Sequence, residues 1–118
     1  DEREVAGINT RSQLAAAENT LRERIREHWM GEGVTLVDPS SIFIDMDVEI
    51  GKDTTIYPYV IVEGKTVIGE RTVIGPFCRV VESRIGSACS LTGWNFLEGD
   101  SLPDMTKLEA YSKPHKGC

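Results

Sequence analysis

Between Ile44 and Leu97 the sequence reads IDMDVEIGKDTTIYPYVIVEGKTVIGERTVIGPFCRVVESRIGSACSLTGWNFL, and its aliphatic side chains keep a period that is neither two nor 3.6. Ile44, Ile50, Ile56, Val62, Ile68, Ile74 and Val80 follow one another at six-residue steps; Ile85 comes after five, then Leu91 and Leu97 after six. Glycine follows the aliphatic at Gly51, Gly69, Gly75 and Gly86, and a small or β-branched residue recurs four positions on, at Val48, Thr54, Val60, Thr66, Thr72, Cys78 and Cys89. An amphipathic helix would repeat at three and four residues and a half-buried strand at two. A six-residue beat is that of a hexapeptide solenoid, a parallel β-helix in which each unit is one short strand plus a corner and three units close a triangular turn. Side chains about eighteen apart then stack: Ile44 on Val62 and Val80, Ile50 on Ile68 and Ile85, Ile56 on Ile74 and Leu91. The glycines are expected at the corners, where a positive φ or a tight bend excludes a side chain.

Upstream the period changes. Thr10 and Gln13 have the spacing of a capping box, so a helix is expected to begin there. Leu14, Ala17, Leu21, Ile25 and His28 with Trp29 form its apolar stripe, and Glu18, Arg22, Glu23 and Arg26 its solvent side, with Glu18 four residues before Arg22 in the favourable orientation. Gly31 and Gly33 end it. Val34 to Val37 and the turn Asp38-Pro39 lead into the coils. Past Leu97 the beat fades, and Ser101-Leu102-Pro103-Asp104 reads as a helix start whose Met105, Leu108 and Tyr111 cover the last coil, followed by a frayed tail from Ser112 to Cys118. The expected organisation is therefore an arm over 1–36, a mainly β solenoid over 37–102 and a cap with tail over 103–118. Three coils bury few aliphatics against the entropy of ordering them, and the flat outer faces suit packing about a three-fold axis, so a homotrimer is expected.

The composition is that of one acidic domain: 118 residues, 13 Lys and Arg against 19 Asp and Glu, net charge −6. The Arg22, Arg24, Arg26 series is interrupted by Glu23 and Glu27, which leaves no basic patch for nucleic acid or for an anionic membrane. No apolar run approaches the roughly 18 residues of a membrane span, and the residues from Asp1 to Glu4 are unlike a signal-peptide start. The expected location is the cytoplasm. Cys78, Cys89 and Cys118 form no CxxC pair and are expected to be reduced. The chain opens at Asp1 without a methionine and is read as trimmed, or as an excised piece of something longer.

The order of features carries a resemblance. Glu4-Val5-Ala6-Gly7-Ile8-Asn9-Thr10-Arg11, Gln13-Leu14, Ala17-Glu18, a helix ending near Gly31-Glu32-Gly33-Val34, then Val37-Asp38-Pro39 and the hexapeptides resemble the bacterial bifunctional UDP-N-acetylglucosamine pyrophosphorylase / glucosamine-1-phosphate N-acetyltransferase family over about residues 4 to 92. The resemblance implies a left-handed coil, where the usual crossover rule would favour a right-handed one. It also implies a trimer, a helical arm joining two catalytic domains, and a parent that joins UTP to N-acetylglucosamine 1-phosphate. In such a parent Mg²⁺ is held partly by the asparagine at the position of Asn9, an amide oxygen being a reasonable hard ligand. The acetyl-transfer half of the family needs a histidine base and acetyl-CoA held between neighbouring solenoids.

Other candidates have weaker grounds. His28 is expected to be a packed helix residue and His115 a solvated one. Asp45, Asp47 and Glu49 alternate on an outward face, able to attract a divalent ion but more commonly just solvated. Glu63-Gly64-Lys65-Thr66 reads as a corner and lacks the context of a phosphate-binding loop. A zinc solenoid of the carbonic-anhydrase kind needs three histidines, and none lies in the repeats. The leading expectation is a non-catalytic trimerisation and scaffold module of a sugar-nucleotide pyrophosphorylase. The alternative is a hexapeptide acetyltransferase that uses acetyl-CoA on an amino-sugar phosphate. A third reading has the outer faces bind a regulatory ligand or a partner protein.

Overall fold

The computed structural model describes residues 10–114. It is a left-handed parallel β-helix preceded by a single α-helix. Helix α1 runs Arg11–Gly31. The Thr10 hydroxyl accepts from the Gln13 amide at 3.1 Å and the Gln13 side chain accepts from the Thr10 amide at 3.1 Å, so the capping box forms as expected. The helix closes where the Glu32 amide donates to the His28 and Trp29 carbonyls and Gly33 takes a φ of +93°.

Strand β1 (Thr35–Leu36) leads in. The coils follow as β2 (Phe43–Ile44), β3 (Glu49–Ile50), β4 (Thr55–Ile56); β5 (Ile61–Glu63), β6 (Val67–Ile68), β7 (Val73–Ile74); β8 (Arg79–Val81), β9 (Arg84–Ile85), β10 (Ser90–Leu91); and β11 (Phe96–Glu98), β12 (Ser101–Leu102), β13 (Lys107–Leu108). Three parallel sheets wall the prism, in the orders β1-β4-β7-β10-β13, β2-β5-β8-β11 and β3-β6-β9-β12. The register is the expected one: Ile44 pairs with Val62 and Val62 with Val80, Ile50 with Ile68 and Ile68 with Ile85, Ile56 with Ile74 and Ile74 with Leu91. All of these side chains are buried in one core, and so are the residues four positions on.

The polar members of that inner set bond from coil to coil. Thr54 donates its hydroxyl to the Gly69 carbonyl at 2.6 Å and accepts from the Thr72 amide; Thr72 repeats this with the Gly86 carbonyl at 2.8 Å and the Cys89 amide. On a second corner Thr66 accepts from the Ser83 amide and Ser83 from the Asp100 amide. A buried hydroxyl is tolerated because it meets backbone groups that a corner leaves out of the strand ladder.

Several expectations are corrected. Residues 101–108 form no capping helix: β12 pairs with β9 and β13 with β10, so the solenoid runs four coils. The five-residue step from Leu97 to Leu102 hides the continuing beat, as the step from Val80 to Ile85 does one coil earlier. Ser112 is not frayed either, since its carbonyl accepts from the Asn95 side chain at 2.9 Å. The face of α1 toward the coils keeps Ile25 and Trp29 of the expected stripe and adds two arginines expected on the solvent side. Arg26 is buried and donates to the Ile42 carbonyl at 3.1 Å, and Arg22 lies 4.5 Å over the Phe43 ring, 3.8 Å from the Asp45 carboxylate, rather than pairing with Glu18 on the solvent side. Leu14 and Leu21 stay exposed, while Ile25 and Trp29 of the same stripe pack on the core.

The corner glycines act otherwise than expected. The positive φ values at repeated corners fall on Asp53, Tyr59, Arg71, Phe77, Glu82, Ala88, Trp94, Met105 and Tyr111, and among the glycines of the coils on Gly64, Gly93 and Gly99. Gly51, Gly69, Gly75 and Gly86 instead let successive coils touch: a Cβ on Gly51 would lie 2.6 Å from the Glu70 nitrogen.

Candidate functional site

Chemistry-bearing side chains gather where α1 crosses the first coil. A groove of about 320 Å³ lies between Leu21, Arg22 and Ile25 of the helix and Ile44, Asp45 and Met46 of the coil, with Glu18 and Asp47 at its rim. Three carboxylates against one guanidinium make it unsuited to phosphate, and that guanidinium already sits on the Phe43 face. Asp45 is engaged as well, since its Oδ2 accepts from the Gly64 amide at 3.1 Å. The groove therefore fastens the arm to the coil and leaves no group poised for proton transfer.

The expected acidic series does not share one face. Asp45 follows β2, Asp47 lies in the turn after it, and Glu49 is in β3 on a different wall of the prism. Among the described residues no three His, Cys, Asp or Glu side chains are grouped to hold a metal. Asn9 and His115 lie outside the described residues, as does Cys118. His28 is exposed, not packed as expected, and only edges the Trp29 ring at a centroid distance of 4.7 Å.

Glu63 to Thr66 is the corner expected: Gly64 has a φ of +70°, Lys65 donates its amide to Glu82, and the Thr66 hydroxyl donates to the Glu63 carbonyl. Glu63 itself pairs with Arg79 at 2.7 Å. Cys78 and Cys89 are free and buried. Burial pushes the Cys78 thiol up, against a smaller opposing effect of its hydrogen bond to Asn95, which makes it a poor nucleophile.

Sequence reading missed two features. Asn95 is buried and fully bonded: its Oδ1 accepts from the Gly93 amide and the Cys78 thiol, and its Nδ2 donates to the Glu109 and Ser112 carbonyls, which ties the last coil to the one below. The other is a row of stacked rings along the edge between the walls of β4 and β5. Tyr59 and Phe77 stack at a centroid distance of 5.2 Å, Phe77 and Trp94 at 4.3 Å, Trp94 and Tyr111 at 5.8 Å. Their spacings of eighteen, seventeen and seventeen residues were available in the sequence as the coil period read on an outward position.

The family described as "Bacterial transferase hexapeptide (six repeats)" matches residues 47–81, which span β3 to β8. The "Bifunctional protein GlmU" of Heliobacterium modesticaldum is 56% identical over 86 residues, covering 73% of this chain and 19% of that protein. This chain is a relative of the GlmU proteins. The GlmU of Syntrophomonas wolfei is 44% identical over 115 residues, 96% of this chain and 25% of that protein. That of Bifidobacterium longum strain DJO10A is 36% identical over 129 residues, 95% of this chain. The kinship with GlmU thus extends past residue 92, where the sequence motifs alone had placed its end. The chain spans about a fifth of the length of the Heliobacterium GlmU.

Proposed function

We propose that this chain is the trimerisation and scaffold element of a sugar-nucleotide pyrophosphorylase of the GlmU type, a cytoplasmic enzyme that joins UTP to N-acetylglucosamine 1-phosphate. The observation that carries the reading is α1 docked on the base of a four-coil solenoid whose polar side chains are engaged in holding coils together. Arg26 serves the Ile42 carbonyl, Asp45 the Gly64 amide, Thr72 the Gly86 carbonyl and Asn95 the Glu109 and Ser112 carbonyls. Such a body positions other domains and copies; it does not itself move a proton. No helix among the described residues is long and apolar enough to cross a membrane.

In the parent activity the contribution of this chain to Mg²⁺ is the Asn9 amide oxygen, as one ligand among others supplied elsewhere. Thr10 beside it is already committed to capping α1. Held there, Mg²⁺ would supply charge neutralisation.

The hexapeptide-transferase family match favours a second reading, acetyl transfer from acetyl-CoA to an amino-sugar phosphate. Titration calorimetry of the chain with acetyl-CoA and with CoA separates the two. The scaffold reading predicts no heat of binding at either ligand, and saturable binding of acetyl-CoA would transfer the assignment to the acetyltransferase.

A further inference from the structure

Each coil donates backbone amides to the coil above it. At one corner Gly51, Gly69 and Gly86 donate to the Ile68, Ile85 and Leu102 carbonyls at 2.8, 2.8 and 2.9 Å. The next member of that column is Pro103, since β9 and β12 pair Ile85 with Leu102, and proline has no amide to give. Its side chain also stands where the lower coils need a glycine. A Cβ on Gly51 would lie 2.6 Å from the Glu70 nitrogen of the coil above, and one on Gly86 2.7 Å from the Asp104 nitrogen. The residue that tops this column therefore lacks the donor and fills the space that a further coil would take.

A second wall ends by different chemistry. Glu63, Val81 and Glu98 are aligned along β5, β8 and β11, with Asp45 one coil below Glu63. The Asp45 amide donates upward to the Val62 carbonyl at 3.0 Å. The Glu98 amide instead donates to Oδ2 of Asp100, two residues along its own chain, at 2.9 Å. Asp100 is 6% exposed and donates its own amide to the Ser83 hydroxyl below it at 3.1 Å. A carboxylate holds an amide more strongly than a carbonyl does, and another coil laid over it would take away its remaining contact with water. The base of the solenoid shows the converse. The Val60 carbonyl accepts from the Phe43 amide of the coil below at 3.0 Å; Ile42, eighteen residues earlier, presents the same carbonyl at the base, and there Arg26 of α1 occupies it at 3.1 Å.

We infer that the fourth coil is a built terminator of the solenoid: Pro103 and Asp100 refuse a further coil at the top, and Arg26 refuses one at the base. Bare strand edges are templates for pairing with another chain, and these three side chains blunt them. A coil needs all three walls, so refusal on two suffices at the top. The inference concerns the ends of one solenoid and is independent of the scaffold and trimer readings.

The test rebuilds the fourth coil on the pattern of the third. Asp100→Ser/Pro103→Gly puts at the top the residue types that Ser83 and Gly86 supply one coil down. Glu98→Gln makes the same change of charge through an exposed side chain and is the control. Sedimentation velocity over an about 100-fold range of concentration should give the parent and Glu98→Gln the same mass at each point. The double variant should pair top to top and show twice that mass at the upper end, its end-to-end affinity raised about 100-fold or more. Growth should stop at the pair, because Arg26 still closes the base and a two-fold contact is complete in itself. A folded double variant with the parent's mass throughout overturns the inference, and so does the same doubling in Glu98→Gln, which would assign the effect to charge. Should the double variant fail to fold by circular dichroism, Pro103→Gly alone decides on the same reading, with doubling expected at about 10-fold higher concentration and an unchanged mass overturning the inference.

Discussion

Substituting Gly75 by alanine tests how closely the coils must touch. Gly75 follows β7, and its amide donates to the Leu91 carbonyl of the next coil at 2.8 Å. A Cβ built there would lie 2.2 Å from the Thr92 oxygen, 2.5 Å from the Thr92 carbonyl carbon and 2.6 Å from the Leu91 oxygen. Every atom it meets is backbone, so no side chain can swing aside. Reaching an ordinary contact of 3.4 Å requires 3.4 − 2.2 = 1.2 Å of separation between coils at that corner. The bonds from Gly75 to Leu91 at 2.8 Å and from Val73 to Cys89 at 2.9 Å cannot lengthen that far and survive. Two lost ladder bonds at about 1 kcal/mol each and an overpacking cost of about 1–3 kcal/mol outweigh the roughly 0.8 kcal/mol gained by a buried methyl. The expected loss is about 3 kcal/mol. Urea unfolding followed by circular dichroism at fixed chain concentration measures it, with Gly31→Ala as the matched control. Gly31 is helical with nothing within 4 Å of the added carbon, so alanine there should stabilise by about 0.5–1 kcal/mol. If Gly75→Ala were as stable as the parent, the reasoning that coil contact rather than corner conformation selects these glycines would be refuted.

Three further outcomes follow from the same geometry. Asn95→Ala leaves the Gly93 amide and the Glu109 and Ser112 carbonyls without their partner, so hydrogen exchange should accelerate by 10-fold or more, on the order of 1–3 kcal/mol, in β13 and the residues after it while β5 to β7 keep their protection. Uniform acceleration along the chain would contradict a local tie. Arg26→Ala should cost about 1–3 kcal/mol and loosen α1 from the base of the solenoid, read as a loss of Trp29 fluorescence anisotropy, whereas Arg24→Ala should cost less than about 0.5 kcal/mol. The Cys78 thiol is held protonated by burial above its ordinary value of 9.0. Its contribution is therefore complete below pH about 9, where the unfolded chain also keeps its proton, and is lost as pH rises toward the folded value. Cys78→Ala should flatten the alkaline fall in unfolding free energy; an unchanged slope would exclude this thiol as its source.

The core of the fold was legible because it depends on one repeated requirement, an aliphatic side chain at every sixth position, which ten residues from Ile44 to Leu97 satisfy. The last coil was not, because a five-residue step puts Leu102 out of phase and Pro103 imitates a helix start. The true role of Pro103 is at a corner, where its carbonyl accepts from Cys89 and Thr106. The arm was legible as a helix from its capping box, but not the side it presents. A guanidinium that serves a carbonyl and another lying on an aromatic ring look polar in a periodicity argument, yet Arg26 and Arg22 meet the coil beside Ile25 and Trp29. At the candidate site, alternation placed Asp45, Asp47 and Glu49 together only as long as the chain ran straight, and a corner between β2 and β3 separates them. The aromatic row keeps the coil period on outward positions, where burial does not demand a ring, so the aliphatic beat does not imply it.

The role proposed for this chain is to assemble and position rather than to catalyse. Native mass spectrometry of the intact chain with excess acetyl-CoA addresses it most directly, because stoichiometry and ligand retention are read in one spectrum. The predicted result is a single species of three chains with no acetyl-CoA adduct; a 13.1 kDa monomer, or a trimer carrying acetyl-CoA, would contradict it.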